Sequence, residues 1–204
     1  MAHRNSTTCA VVIPVKAFSA AKLRLAPVLD DVTRARLARR LASVVVAAAG
    51  DLPVIVVCDD EEVAGWASAA GAAVVWAPGR GLDGAVLDGV ARAAADGADR
   101  AVVAHADLPL ARDLGAVVAA AEDVVLVPDR RRDGTNVAVV PTGAGFTFRY
   151  GAGSFDRHVA ETGRLGLTLR VVHDPALTWD VDVPADLDHA EVTALLLRPP
   201  ATCA

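Results

Sequence analysis

Apolar and polar positions along this chain follow two periods in turn. Short, nearly continuous apolar runs stand at residues 9–15 (CAVVIPV), 53–58 (PVIVVC), 73–77 (AVVWA) and 100–106 (RAVVAHA). Others follow at 123–127 (DVVLV), 137–140 (VAVV) and 167–172 (LTLRVV). Their length and Val content predict seven strands. Between them lie stretches with apolar positions three and four apart, which predict helices over 31–49, 60–70, 84–96, 112–121, 154–162 and 184–197. The first shows the pattern plainly, with Asp30 or Asp31 as cap and Leu37, Leu41, Val44, Val45 and Ala48 on one face. Apolar strands separated by helices imply parallel pairing, with the sheet covered on both faces. Such sheets bind ligands in the crevice at the carboxyl ends of their strands, and every chemically interesting cluster here follows a strand.

At 204 residues the chain suits one α/β domain, residues 1–204, with short flexible tails at both ends. No repeat, low-complexity linker or charge block marks a second. The hydrophobic share is 53% but aromatics are only 4%, so the core is expected to be Val, Leu and Ala. A net charge of −5 gives no global field toward nucleic acid. Arg34, Arg36, Arg39 and Arg40 fall on the first helix and read as its solvated face. Cys9 and Cys58 lie in apolar runs, Cys203 is on the tail, and no CxxC occurs, which fits a reduced, cytoplasmic protein. No run reads as a membrane span or signal peptide, because Pro14, Lys16, Gly50, Asp51 and Pro53 interrupt the longest ones. Oligomeric state is not legible.

Three clusters carry candidate chemistry. After the first strand comes a loop with Lys16, Lys22 and Arg24, cations suited to phosphate oxyanions, or simply solvated loop charges. It lacks GxxxxGK[ST] and GxGxxG, so it is neither a Walker loop nor a dinucleotide fingerprint. Asp107 ends the fourth strand and reads as a metal-binding carboxylate or as a turn residue before Pro109. In Trp179-Asp180-Val181-Asp182, extended backbone would aim Asp180 and Asp182 to one side, where a cation such as Mg²⁺ relieves their repulsion. Otherwise Asp182 caps the helix opening at Pro184. The third cluster is Asp133-Gly134-Thr135-Asn136 with Tyr150-Gly151-Ala152-Gly153-Ser154. Its glycines and its Ser at a helix start suit an anion seat, or an ordinary turn and N-cap.

Taken in order, VIPVK, AKxRL, ADLP, PDRxxxGTN, FxYGxGSFxxH and WDVDxPxDL span residues 11–187. That series resembles the 2-phospholactate and phosphoenolpyruvate guanylyltransferases, which make the precursor of the deazaflavin coenzyme F-420. The resemblance implies a single-domain, GT-A-like (Rossmann-like) nucleotidyltransferase fold with a mainly parallel sheet. It implies GTP as donor, Mg²⁺, and a phosphorylated three-carbon acid as acceptor. It assigns Asp107, Asp180 and Asp182 to metal, and Thr135, Gly151 and Ser154 to the acceptor. Lys16, Lys22 and Arg24 become the catalytic cations facing the nucleotide. Asp83 stands where the family pattern has Asn; it is expected either to accept the guanine N1–H and amino group or to cap the helix near Gly84. Among the acids, phosphoenolpyruvate is favoured by the alanine- and arginine-rich composition alone. A sugar-phosphate or molybdopterin nucleotidyltransferase is a rival reading, weakened by the missing LxGGxSxRxGxxK loop. A non-catalytic nucleotide-binding module is the other. The five histidines show no HxH or HExxH spacing, and neither His105 nor His158 is expected to be catalytic.

Overall fold

The computed structural model describes residues 8–119 and 122–197. The strands are β1 (Cys9–Pro14), β2 (Val54–Cys58), β3 (Ala73–Trp76), β4 (Arg100–Ala104), β5 (Val124–Pro128), β6 (Thr135–Pro141) and β7 (Leu169–Val171). They form one sheet in the order β3-β2-β1-β4-β6-β5-β7. The helices are α1 (Asp31–Ala48), α2 (Glu61–Ala69), α3 (Gly81–Ala95), α4 (Gly115–Val118), α5 (Ser154–Arg164), α6 (Pro175–Thr178) and α7 (Ala190–Leu197).

Side-chain alternation along β1 divides the core between two faces. Val11 and Ile13 pack with Ala38, Ala42 and Val45 of α1, whereas Ala10 and Val12 pack with Val86 and Val90 of α3. Each fully buried Val or Leu contributes roughly 1.5–3 kcal/mol of transfer free energy, an upper bound given residual structure in the unfolded chain. The α3 helix lies close because Gly89 has no side chain: a Cβ there would meet Val12 Cγ1 at 2.4 Å and Val57 Cγ2 at 2.8 Å.

Three expectations are corrected, and a fourth, the mainly parallel sheet, is met with one exception: β6 runs antiparallel to both β4 and β5. The physical reason is the short connection at 129–134, which admits a hairpin but not a crossover. Asp129 shapes that hairpin by accepting the N–H groups of Arg131, Asp133 and Gly134 at 2.9–3.0 Å. The final helix is split: Pro184–Asp188 is a 3-10 turn, and α7 starts only at Ala190. The helix expected over 112–121 shortens to α4, with residues 120 and 121 outside the described residues, as are Cys203 and most of both tails. Finally, Arg34 is 3% exposed rather than solvated. It donates to the Ala21 carbonyl at 2.7 Å and pairs with Asp31 at 2.6 Å. Arg40, expected on the same solvated face, donates to the Leu195 carbonyl.

The strand order reverses at β1 and β4: β2 and β3 extend to one side, β6, β5 and β7 to the other. That switch point, where successive loops diverge and leave a crevice, is the expected ligand site of an open α/β sheet.

Candidate active site

The loop after β1 crosses this switch point. Its backbone is held by Arg34 at Ala21 and by Leu25, which is fully buried with Leu37, Leu41 and Val181. Between these anchors Lys22 adopts φ 56° and ψ 36°, a left-handed conformation that a residue with a Cβ takes only when its surroundings impose it. The outcome is a lysine aimed inward. Its Nζ donates to Asp107 Oδ2 and to the Val181 carbonyl, both at 2.6 Å, and lies 3.5 Å from Asp182 Oδ1. Arg24 stays at the surface and reaches Asp182 Oδ2 at 3.4 Å. Lys16 is exposed on the rim of the cleft formed by the loop, His105 and Asp107.

Val181 explains why the two late aspartates cooperate. It is fully buried, and its N–H donates to the Asp107 carbonyl at 3.2 Å. In extended backbone the flanking Asp180 and Asp182 then share the opposite side. The cap role for Asp182 is corrected: Val183, not Asp182, occupies the cap position before Pro184.

Lys22 leaves this acidic cluster undercompensated. Asp107 Oδ1 is buried with no hydrogen-bond partner among the described residues. Burial, then the like charges of Asp107 and Asp182, push the Asp180 carboxyl up to about 6. Burial would also raise Asp107, but Lys22 and His105 hold it below the usual carboxylate value. Burial would lower the Lys22 ammonium, yet the carboxylates of Asp107, Asp182 and Asp180 outweigh it and hold it above the usual lysine value. A cation therefore fits the electrostatics. Among the described residues no three His, Cys, Asp or Glu side chains gather closely enough to hold a metal ion by themselves. One or two carboxylates, with water and substrate phosphates completing the shell, is the usual habit of Mg²⁺.

Sequence reasoning missed the residues that position this segment. Asp186 is 2% exposed and accepts the N–H groups of Asp182 at 2.6 Å and Val183 at 2.8 Å. Its other oxygen takes Arg130, whose guanidinium also covers the Trp179 ring at 4.0 Å and whose backbone N–H holds the Thr178 carbonyl. The pair thus clamps both sides of the DVD segment. Asp186→Asn should cost about 3 kcal/mol, toward the lower part of the range for a broken buried pair because Arg130 stays partly exposed. A urea-denaturation midpoint within error of the parent would contradict this.

On the acceptor side the expected residues are found together but bonded to one another. Thr135 and Ser154 are each 1% exposed, and Thr135 N–H donates to Ser154 Oγ at 3.1 Å. Ser154 is the first residue of α5, with Gly153 in the cap position. The turn before it bends at Gly151 (φ 96°). Arg157 draws the carbonyls of Arg149, Tyr150, Gly151 and Ala152 to itself at 2.7–3.3 Å. The N–H groups of Gly151 and Ala152 have no partner among the described residues. The rings of His105, Tyr150 and His158, with centroids 4.9 and 5.0 Å apart in sequence, connect this turn to the carboxylate cleft.

His158 is fully buried and structural. Its Nε2 accepts the Arg149 N–H at 3.1 Å, which leaves Nδ1–H to donate to Thr135 Oγ1 at 3.0 Å. Burial, aided by Arg157, pushes its pKa down to about 4. The unfolded chain takes up this proton near pH 6.5 and the folded chain only near pH 4, so stability falls as pH drops through that window. The loss should total on the order of 3 kcal/mol. Urea midpoints at pH 7 and pH 4.5 test it: a flat profile, or one that His158→Gln does not flatten, would count against it.

Asp83 lies in the first turn of α3, which starts at Gly81 rather than Gly84. Its Oδ1 accepts the Tyr150 N–H at 2.8 Å, tying α3 to the acceptor turn.

Comparison with known proteins shows the family and the fold. The family model described as "Guanylyl transferase CofC like" matches residues 9–193. A phosphoenolpyruvate guanylyltransferase of Rubrobacter xylanophilus is 37% identical over 190 residues, covering 89% of this chain and 93% of that protein. Among solved structures, a nucleotidyl transferase from Methanothermobacter thermautotroptrophicus superposes with a TM-score of 0.58 at 19% identity, covering 89% of this chain and 94% of the other. Glucosyl-3-phosphoglycerate synthase from Mycobacterium tuberculosis, solved with Mg²⁺ and UDP, does so at 0.53 and 19% identity, covering 94% and 79%. The expected nucleotidyltransferase fold is thereby borne out.

Proposed function

The chain belongs to the CofC-like guanylyl transferase family, and on that premise we propose that it joins GTP to phosphoenolpyruvate, releasing pyrophosphate. The product is enolpyruvyl-diphospho-5'-guanosine, an intermediate of coenzyme F-420 biosynthesis. The observation that carries the reading is the meeting of Lys22 with Asp107 and Asp182 at the sheet's switch point. The curated relative named above acts, by its name, on phosphoenolpyruvate.

The reaction needs no protein nucleophile. A phosphate oxygen of the acid forms a bond to the α-phosphorus of GTP, and the bond from that phosphorus to the bridging oxygen breaks, so the electron pair leaves with pyrophosphate. What must be overcome is repulsion: two unit charges ~4 Å apart cost about 4 kcal/mol at an effective dielectric of 20. Lys22, Lys16 and Arg24 would face the nucleotide phosphates and stabilise charge as it develops on the leaving group. Asp107, Asp180 and Asp182, with water and substrate phosphates completing the shell, would hold Mg²⁺, which supplies Lewis-acid polarisation and neutralises phosphate charge. Thr135, Gly151 and Ser154 would seat the acid's carboxylate through N–H groups and the hydroxyl, with the Thr135 N–H first releasing Ser154 Oγ.

The test is pyrophosphate release from GTP and Mg²⁺ with phosphoenolpyruvate, 2-phospholactate, 3-phosphoglycerate or a sugar 1-phosphate in turn. Release with phosphoenolpyruvate well above the rest is expected. Release with none of the three acids would overturn the reading, and release with the sugar phosphate alone would favour the rival one.

A further inference from the structure

Beside the carboxylate cleft lies a second one of about 380 Å³, in the size range of small-molecule sites. The two share Pro14, Val15, Lys16 and Leu82, so they are two ends of a single trough. They differ in the charged side chains that line them. The first end carries Lys22, Arg24, Asp107 and Asp182; the second has apolar walls from Val57, Ala77, Leu82 and Ala85, with one carboxylate, Asp59, on its rim. Asp59 follows β2 directly and is exposed. Its neighbour Asp60 has a structural task, accepting the Val63 N–H at 3.0 Å as cap of α2. Asp59 itself makes no hydrogen bond or ion pair to any described residue. A trough with mixed charges at one end, where the basic loop and a bound cation would meet phosphates, and apolar walls at the other matches the layout of a nucleoside triphosphate.

Resting on the guanylyl-transfer reading above, we propose that the second cleft seats the guanine base and that Asp59, not Asp83, reads its edge. Guanine presents N1–H and a 2-amino group side by side, two donors that one carboxylate accepts together. Adenine turned the same way sets its N1 lone pair against the carboxylate and leaves a desolvated acceptor unpaired. Asp83 does not line this cleft, and one of its oxygens already takes the Tyr150 N–H. Lys16, shared by both ends, sits where base and phosphate halves meet.

The experiment compares GTP with ITP, which lacks only the 2-amino group, and with ATP. Both binding by titration calorimetry and kcat/KM with phosphoenolpyruvate are measured for the parent, Asp59→Asn, Asp59→Ala and Asp83→Asn. The parent should prefer GTP over ITP by roughly tenfold, and over ATP by more, as expected when a polar partner is left unpaired. Both Asp59 variants should bring the GTP-to-ITP ratio near one in binding and in turnover, while Asp83→Asn keeps the parent's ratio. Retention of the ratio in both Asp59 variants, or its loss in Asp83→Asn alone, overturns the proposal and leaves the guanylyl-transfer reading standing. Should the parent bind GTP without turning over any acid, the functional reading fails, and the binding ratios still decide the role of Asp59. Because Asp59 is exposed and unbonded, neither substitution removes a contact on which the fold depends.

Discussion

Asp107→Asn is expected to lower kcat/KM for pyrophosphate release by about 10²–10³-fold while the fold persists, the scale seen when one preorganised electrostatic group is removed from an active site. The substitution keeps the shape of the side chain and deletes its charge. Lys22 then loses the carboxylate at 2.6 Å and keeps only the Val181 carbonyl at 2.6 Å and Asp182 at 3.5 Å. The oxygen that is buried and unbonded, Asp107 Oδ1, is also lost as a cation ligand or becomes a poor one. On the proposed roles two defects therefore coincide: a weaker hold on the metal and a less constrained Lys22. Raising Mg²⁺ should restore part of the first and none of the second, so the variant keeps a lower kcat even at saturating metal. Circular dichroism separates this from unfolding. Turnover within a few-fold of the parent would remove Asp107 from the site.

Much of the architecture is legible in the residues because burial on both faces writes strands as short apolar runs. All seven runs are strands, within about three residues at each end. The direction of β6 is less visible, since parallel and antiparallel strands have the same pattern. What decides it is the length of 129–134 and the turn made by Asp129 with Gly134, which an ordinary-turn reading of Asp133–Thr135 already contained. The candidate clusters were legible as motifs, but the roles within them were not. Arg34, Arg130 and Asp186 look like surface charges when each is weighed alone. Their placement depends on partners 13 to 56 residues away: Ala21 for Arg34, and Asp186 and Arg130 for each other. Asp59 illustrates the opposite case. Nothing in its local sequence distinguishes it from Asp60, and only the trough beside it gives the residue a task.

Lys22→Met should move two measurements in opposite directions. In the folded protein the Lys22 ammonium is held by Asp107 Oδ2, the Val181 carbonyl and Asp182 Oδ1, an oxygen shell of the kind a small cation accepts. With only 10% of its side chain exposed, it is an internal counterion for carboxylates whose burial, and then mutual repulsion, push Asp180 up to about 6. Divalent metal binding without nucleotide must then compete with this lysine. A methionine of similar length removes the competitor and leaves the acidic side chains uncompensated, so Mn²⁺ affinity without nucleotide, read by electron paramagnetic resonance, should rise about tenfold, or about 1.4 kcal/mol. Turnover should fall by about 100-fold in the same variant, because the buried cation that would otherwise meet the nucleotide phosphates is gone. A merely structural lysine would not give this divergence: its loss would weaken metal binding and turnover together. Mn²⁺ affinity that is unchanged or lower in Lys22→Met would show that the ammonium and the metal occupy separate places, and Lys22 would then act on phosphate alone.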